Sequence, residues 1–330
     1  MEKVAFIYGE TFIYWSSVIL TLAVIAAVAT FAGLYLWKSK NGMALSLTVP
    51  VAMVLSVLLS RWIHWYCLTD SYVSMEAAMS DYTWGGYALM GTFAGCLLTA
   101  CLMRLTRIST NLPQMLDCMC LAGGVGIAAG RLASMYNASD RGQVVADEIG
   151  MPFAYPVTDA VSGIAENRLA TFMLQSVSTA AIVGLIVLYL LICLVLRKKV
   201  RDGDTALLFI LLYGVCQIIL DSTRYDSLFM RSNGFISIVQ ILGLIGLLTA
   251  IIVFSVRMVK ARGFKWYAVA FWVALLALMG GAGYMEYYVQ RHGDQAAFAY
   301  KNMGICLAVI VLITLTIRAL AVTAERKQEK

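Results

Sequence analysis

Nine stretches of apolar residues, each near the length that crosses a bilayer, constrain this chain before any single side chain is considered. They fall at about 11–37, 43–66, 85–103, 113–135, 170–196, 205–221, 235–256, 266–284 and 302–323. A helix of about 20 apolar residues covers the hydrocarbon core of a membrane. Backbone inside lipid has no water to bond, so each stretch must satisfy its own N–H and C=O groups as a helix. Hydrophobic residues make up 61% of the 330 and charged residues only 13%, where a soluble domain carries about 25% charged. A transmembrane barrel would show short alternating segments instead. The expected fold class is an all-α polytopic membrane protein.

Charge orients the spans. Sixteen of the 25 Lys and Arg fall in one set of alternating loops and nine in the other. The positive-inside rule assigns the richer set to the cytoplasm, so the N-terminus is expected outside and the C-terminus in the cytoplasm. On that reading Asp70, Asp140, Asp221, Asp226 and Glu286 lie toward the outer face, with Arg131 and Arg224. The net charge of +6 comes mainly from cytoplasmic anchors, so no nucleic-acid partner is expected. The run Arg197 to Arg201 suits membrane lipids with anionic headgroups.

The longest segment expected between spans is an outer loop at about 136–169, and long loops in compact proteins are often functional. The N-terminal MEKVAFIYGE lacks a basic n-region, so the first span is expected to be retained. The eight cysteines sit mostly in apolar runs and read as small buried hydrophobes. With two histidines in the chain and no ligand spacing among the cysteines, no metal or other cofactor is expected. Gly91 with Gly95, and Gly126 with Gly130, form small-xxx-small pairs suited to close helix packing.

Three polar groups interrupt the apolar pattern. Arg131 stands at the outer end of the fourth span, followed by Asn137, Asp140 and Gly142. Arginine at bilayer depth is costly and marks a functional site by default, but at a span's end it can also snorkel to the headgroups. Its planar fork of donors suits a phosphate. In QIILDSTRYDS, Asp221 and Arg224 are three apart, expected to share a helix face and pair, with Gln217 before them and Asp226 after. In SRWIHWYC, His64 sits in an aromatic belt of Trp62, Trp65 and Tyr66. It is one of the two side chains whose ordinary pKa lies near neutrality.

The segment from Gly130 to Gly142 resembles the signature G-R-x-x-N-F-x-N-x-E-x-x-G of the prolipoprotein diacylglyceryl transferase family. Gly130, Arg131, Asn137 and Gly142 match; Ser134, Met135 and Ser139 stand for the asparagine, phenylalanine and glutamate, with Asp140 next. The family's R-x-x-x-E-x-x-R-x-D resembles Gln217, Asp221, Arg224 and Asp226, with the first arginine changed to Gln217. Its H-G-G-L turn resembles Trp84, Gly85, Gly86 and Tyr87, without the histidine. These elements keep the family's order over about 11–256.

The resemblance implies a seven-span transferase-like core at 1–256 and a two-span extension with a basic tail at 257–330. It also implies an activity at the outer face of a bacterial inner membrane. A diacylglyceryl group would move from phosphatidylglycerol to the lipobox cysteine in the signal peptide of a preprolipoprotein. Arg131 and Arg224 would hold the headgroup phosphate, Asn137, Asp140 and Gly142 would shape the loop over it, and Asp221 would orient Arg224 or assist proton removal. Gly85, Gly86, Gln217 and Asp226 would line the substrate site, and His64 is the nearest substitute for the missing base. Because Trp84 and Gln217 depart from the pattern, an inactive paralogue that binds phospholipid or lipoprotein is an alternative. A small-solute transporter is a further one. It would call for helices broken by proline in mid-span, whereas Pro50, Pro113, Pro152 and Pro156 are expected at span ends or in the outer loop.

Overall fold

The computed structural model describes residues 3–80, 86–109, 111–137, 139–146, 153–158, 163, 165–230, 233–292 and 295–328. The chain opens with an antiparallel hairpin, β1 (Val4–Tyr8) and β2 (Thr11–Tyr14), that runs straight into α1 (Trp15–Ser39). Lys40 turns left-handed at φ 54° and returns its N–H to Leu36 O, which ends α1. Asn41 then starts α2 (Gly42–Cys67), its side chain accepting from Ala44 N. A short 3-10 turn and α3 (Met75–Ser80) lead to α4 (Leu89–Leu105). Asn111 caps α5 (Leu112–Gly130) in the same way, with Pro113 in its first turn, where no N–H is missed.

Beyond α5 the hairpin of β3 (Ala154–Thr158) and β4 (Ala165–Leu169) delivers the chain to α6 (Thr171–Val195). Then come α7 (Asp204–Ser222), a hairpin of β5 (Phe229–Met230) and β6 (Asn233–Ser237), α8 (Ile238–Arg262), α9 (Trp266–Arg291) and α10 (Ala296–Gln328).

Among the described residues eight helices are long and apolar enough to cross a membrane. The third expected span is the exception. It becomes α4, of 17 residues, about 25 Å at 1.5 Å per residue against a core of about 30 Å. A second expectation is corrected at Pro50, which lies inside α2 rather than at a span end. The helix continues through it, as membrane helices allow where the freed carbonyl is satisfied nearby.

The chain folds as two compact units, residues 1–209 with 223–239, and residues 210–222 with 240–330. In the first, α1 packs on α5, α2 on α4, and α5 on α6. Gly91 and Gly95 let α4 lie directly on α2. A Cβ on Gly91 would strike the Ser60 backbone, and one on Gly95 would come to 2.6 Å of Ser56 Cα. In the second unit α9 packs on α10, and the α7 backbone meets α8 at Gly214 and Gly243. Arg262 ties the end of α8 to α10, donating to Leu320 O at 2.9 Å and Thr323 Oγ1 at 2.8 Å.

Candidate functional site

The C-terminal end of α5 builds the polar centre of the first unit. The helix tightens after Gly130 into a 3-10 turn over Arg131–Met135. Asn137 then folds the next residues back, its Oδ1 accepting from Ser139 N at 3.0 Å and Ser139 Oγ at 2.6 Å. Asp140 takes the left-handed conformation at φ 57°, one of the few side chains for which this costs little. Its carboxylate is thereby returned over the end of the helix it has just left.

That carboxylate organises the cluster. Asp140 Oδ1 lies 2.5 Å from Arg131 Nη1 and 2.8 Å from Arg224 Nη2. Its Oδ2 accepts from Ser134 Oγ at 2.8 Å. Burial by itself would raise the Asp140 pKa; the Arg131 and Arg224 guanidiniums and the Ser134 hydroxyl outweigh it and hold the carboxyl well below the usual carboxylate range. Asp226 completes the group. Its Oδ1 accepts from Arg224 Nε at 3.0 Å and Nη2 at 2.9 Å, and its Oδ2 from the Asp140 backbone N–H at 2.8 Å.

Backbone pairing holds the two halves of the cluster in register. Gly142 and Arg224 form an isolated antiparallel bridge, Gln143 N donates to Thr223 O at 3.1 Å, and Tyr225 N to Arg141 O at 3.0 Å. On its other side Gly142 N donates to Leu169 O at 2.8 Å. A Cβ on Gly142 would lie 2.6 Å from Thr171 Oγ1 and 2.8 Å from Leu169 Cβ, so only glycine fits between the segments. These pairings also correct one expectation. The helix ends at Ser222, so Arg224 is not one turn along a helix from Asp221. The 223–225 segment has left the helix to pair with 141–143.

Arg131, Asp140, Arg224 and Asp226 are therefore brought together, and Asn137 and Gly142 shape the loop. Asp221 and Gln217 lie on α7 in the second unit, each 1% exposed. Gly85 and Trp84 lie outside the described residues. His64, near the end of α2, bonds Tyr72 through Nδ1 at 2.8 Å and makes no hydrogen bond or ion pair with the arginine cluster.

Sequence reasoning missed two buried cations. Arg61 is 1% exposed and donates to Ala78 O at 2.5 Å and Gly86 O at 3.0 Å, with its guanidinium over the rings of Tyr72 and Tyr87. Gly86, at φ 84°, has no room for a Cβ beside Arg61 and His64. The signal was there: Arg61 stands six residues inside α2 rather than at its end. Arg141 is 5% exposed, and Nη2 donates to Ser134 O and Asn137 O at 2.9 Å each. Its guanidinium packs against the rings of Tyr155 and Phe172, which meet each other edge to face. Burial pushes its pKa below the ordinary value, yet an arginine stays charged in proteins.

The arrangement is suited to an anion: two arginines converge on one oxygen. Comparison with known proteins agrees with that chemistry. A protein from Finegoldia magna named phosphatidylglycerol–prolipoprotein diacylglyceryl transferase is 22% identical over 245 residues, 73% of this chain and 92% of that protein. One of the same name from Staphylococcus xylosus is 26% identical over 180 residues, 54% of this chain and 61% of that protein. The family model described as prolipoprotein diacylglyceryl transferase matches residues 3–256, which hold every element of the site, and the chain belongs to that family.

Proposed function

We propose that this multi-pass membrane protein transfers a diacylglyceryl group from phosphatidylglycerol to the lipobox cysteine of preprolipoproteins, at the outer face of a bacterial inner membrane. The observation that carries the reading is the convergence of Arg131 and Arg224 on a single Asp140 oxygen, at 2.5 and 2.8 Å. A phosphate oxygen presented to the same two guanidiniums meets the same donors. Family membership and the names of the relatives support the reaction and its substrates.

In the reaction the cysteine thiolate attacks the glycerol carbon that carries the phosphate. The S–C bond forms as the C–O bond breaks, and glycerol phosphate leaves with the electron pair. Negative charge on the leaving phosphate grows along this path. Guanidiniums paired with the phosphate stabilise that charge as it develops. Asp140 orients both, and the Ser134 hydroxyl orients Asp140. His64 is the assigned acceptor of the thiol proton: Tyr72 fixes its ring through Nδ1, and Nε2 makes no hydrogen bond among the described residues. The resemblance assigns Asp221 to orienting Arg224 or assisting proton removal, and Gln217, Gly85 and Gly86 to binding substrate. Residues 257–330 are an extension beyond the family match, which ends at 256.

The test is a lipidation assay in proteoliposomes. A lipobox peptide with phosphatidylglycerol should give the diacylglyceryl thioether, and a peptide with serine in place of the cysteine should not. Folded protein that yields no product above background would overturn the reading.

A further inference from the structure

We propose that Arg141 is a third ligand of the phosphate and supplies the unbalanced positive charge of the site. This rests on the reading that Arg131 and Arg224 hold a phosphate. Arg141 falls on an unspecified place of the family signature, so the resemblance gives it no role.

The charge count comes first. Arg131, Arg141 and Arg224 face Asp140 and Asp226, three cations against two carboxylates. Arg131 and Arg224 are both ion-paired. Arg141 makes no ion pair among the described residues, so the excess charge is its own. Its surroundings leave an anion as the missing partner. Two rings lie against the guanidinium, Tyr155 at 4.9 Å and Phe172 at 4.6 Å to the ring centroids. Nη2 is spent on the Ser134 and Asn137 carbonyls. Nε and Nη1 are buried and donate no hydrogen bond among the described residues. Buried polar groups are almost always paired, and a buried charge demands it more strongly than a neutral donor.

The position also suits the role. The carbonyl that holds Nη2 belongs to Ser134, whose hydroxyl holds Asp140, and the Arg141 carbonyl holds the strand that carries Arg224. Arg141 is thus tied, through its side chain and its backbone, to the residues that hold Asp140 and Arg224. A structural pin would need only the rings and the Nη2 bonds; it would not need a charge.

The shared chemistry is a phosphate monoester or diester, and its source is either the lipid headgroup or free glycerol phosphate. Full-length protein in detergent is titrated with short-chain phosphatidylglycerol, with glycerol 3-phosphate, and with a diacylglycerol of the same chain length. Arg141→Met keeps the stacked stem and removes the charge. It should weaken phosphatidylglycerol binding about tenfold or more, the scale of one lost charged hydrogen bond, and leave diacylglycerol binding unchanged. Loss for glycerol 3-phosphate as well shows that the phosphate itself is recognised; loss for the lipid alone assigns the contact to the headgroup diester. Wild-type affinity in Arg141→Met, or an equal loss for diacylglycerol, overturns the proposal. Should that variant not fold, Arg141→Gln decides. It keeps an amide that can donate to the Ser134 and Asn137 carbonyls but removes the charge, and wild-type affinity there also overturns the proposal. A wild type that binds through Arg141 but forms no lipidated peptide overturns the transferase reading and leaves this one standing.

Discussion

The two ends of α5 each bury a carboxylate, and they are held in different ways. Asp117, near the N-terminal end, accepts from Ala206 N at 2.8 Å through Oδ1 and from Gly203 N at 2.9 Å through Oδ2, with Lys38 Nζ 3.9 Å away. It caps the start of α7 from a neighbouring helix, adding negative charge where the helix dipole is positive. Asp140, beyond the C-terminal end, is held by the side chains of Arg131, Arg224 and Ser134. Backbone N–H groups at a helix start have nowhere else to turn, so the Asp117 end is a lock. Guanidiniums on long stems can re-pair with an incoming anion, so the Asp140 end is an exchangeable site. One helix thus anchors the scaffold at one end and holds the chemistry at the other.

The largest expected effect breaks the exchangeable end. Arg131→Ala removes one of the two converging donors while Asp140 keeps Arg224 and Ser134, so the fold should survive. Product in the lipidation assay should fall about 100-fold or more, equivalent to roughly 3 kcal/mol of transition-state stabilisation. Full activity would remove Arg131 from the site. Asp117→Ala should do the opposite. It leaves the Gly203 and Ala206 N–H groups without their acceptor at a cost of about 2–4 kcal/mol. Thermal unfolding in detergent should show the loss. Product formed per folded molecule should stay near that of the wild type.

The sequence displays the two ends unequally. The spans were legible because a membrane helix must be apolar along its length, and boundaries such as 43–66 against Gly42–Cys67 differ by a residue or so. Arg131, Asp140 and Arg224 were legible as charges in apolar context. Their pairing was not. The spacing of Asp221 and Arg224 reads as one helical turn, and only the tertiary bridge from Gly142 to Arg224 takes the segment out of the helix. Asp117 went unremarked because its partners are backbone groups 86 and 89 positions away, which no side-chain pattern encodes. Arg141 and Arg61 counted as loop charges, since aromatic partners such as Tyr155 and Tyr72 come from separate segments.

Acid should sharpen the comparison next. The folded-state pKa of Asp140 is depressed. Its contribution to stability is therefore full above the unfolded value, about 3.9, and is lost as pH falls through and below that value. Other carboxylates contribute to any acid transition, so the informative quantity is a difference. Thermal stability of the wild type should exceed that of Asp140→Asn by a constant amount from pH 7 to about 5, and the gap should narrow below about pH 4. A gap that does not change with pH would mean that Asp140 stabilises the loop by shape alone.

The smallest effect belongs to Asp226, and it tests which carboxylate organises the site. Asp226 touches the same arginine as Asp140, yet its side chain is 35% exposed where that of Asp140 is 13%. Water screens such a pair, and exposed ion pairs contribute about 0–1 kcal/mol. Asp226→Asn also keeps an oxygen that can accept from the Asp140 N–H. Product should change less than about threefold in the lipidation assay, well under the loss in Arg131→Ala. A loss as large as that of Arg131→Ala would mean that the two carboxylates act as one network, with Arg224 dependent on both. A small loss leaves Asp140 as the carboxylate that aims Arg131 and Arg224 together. The exchangeable end of α5 would then depend on one residue, as the locked end depends on Asp117.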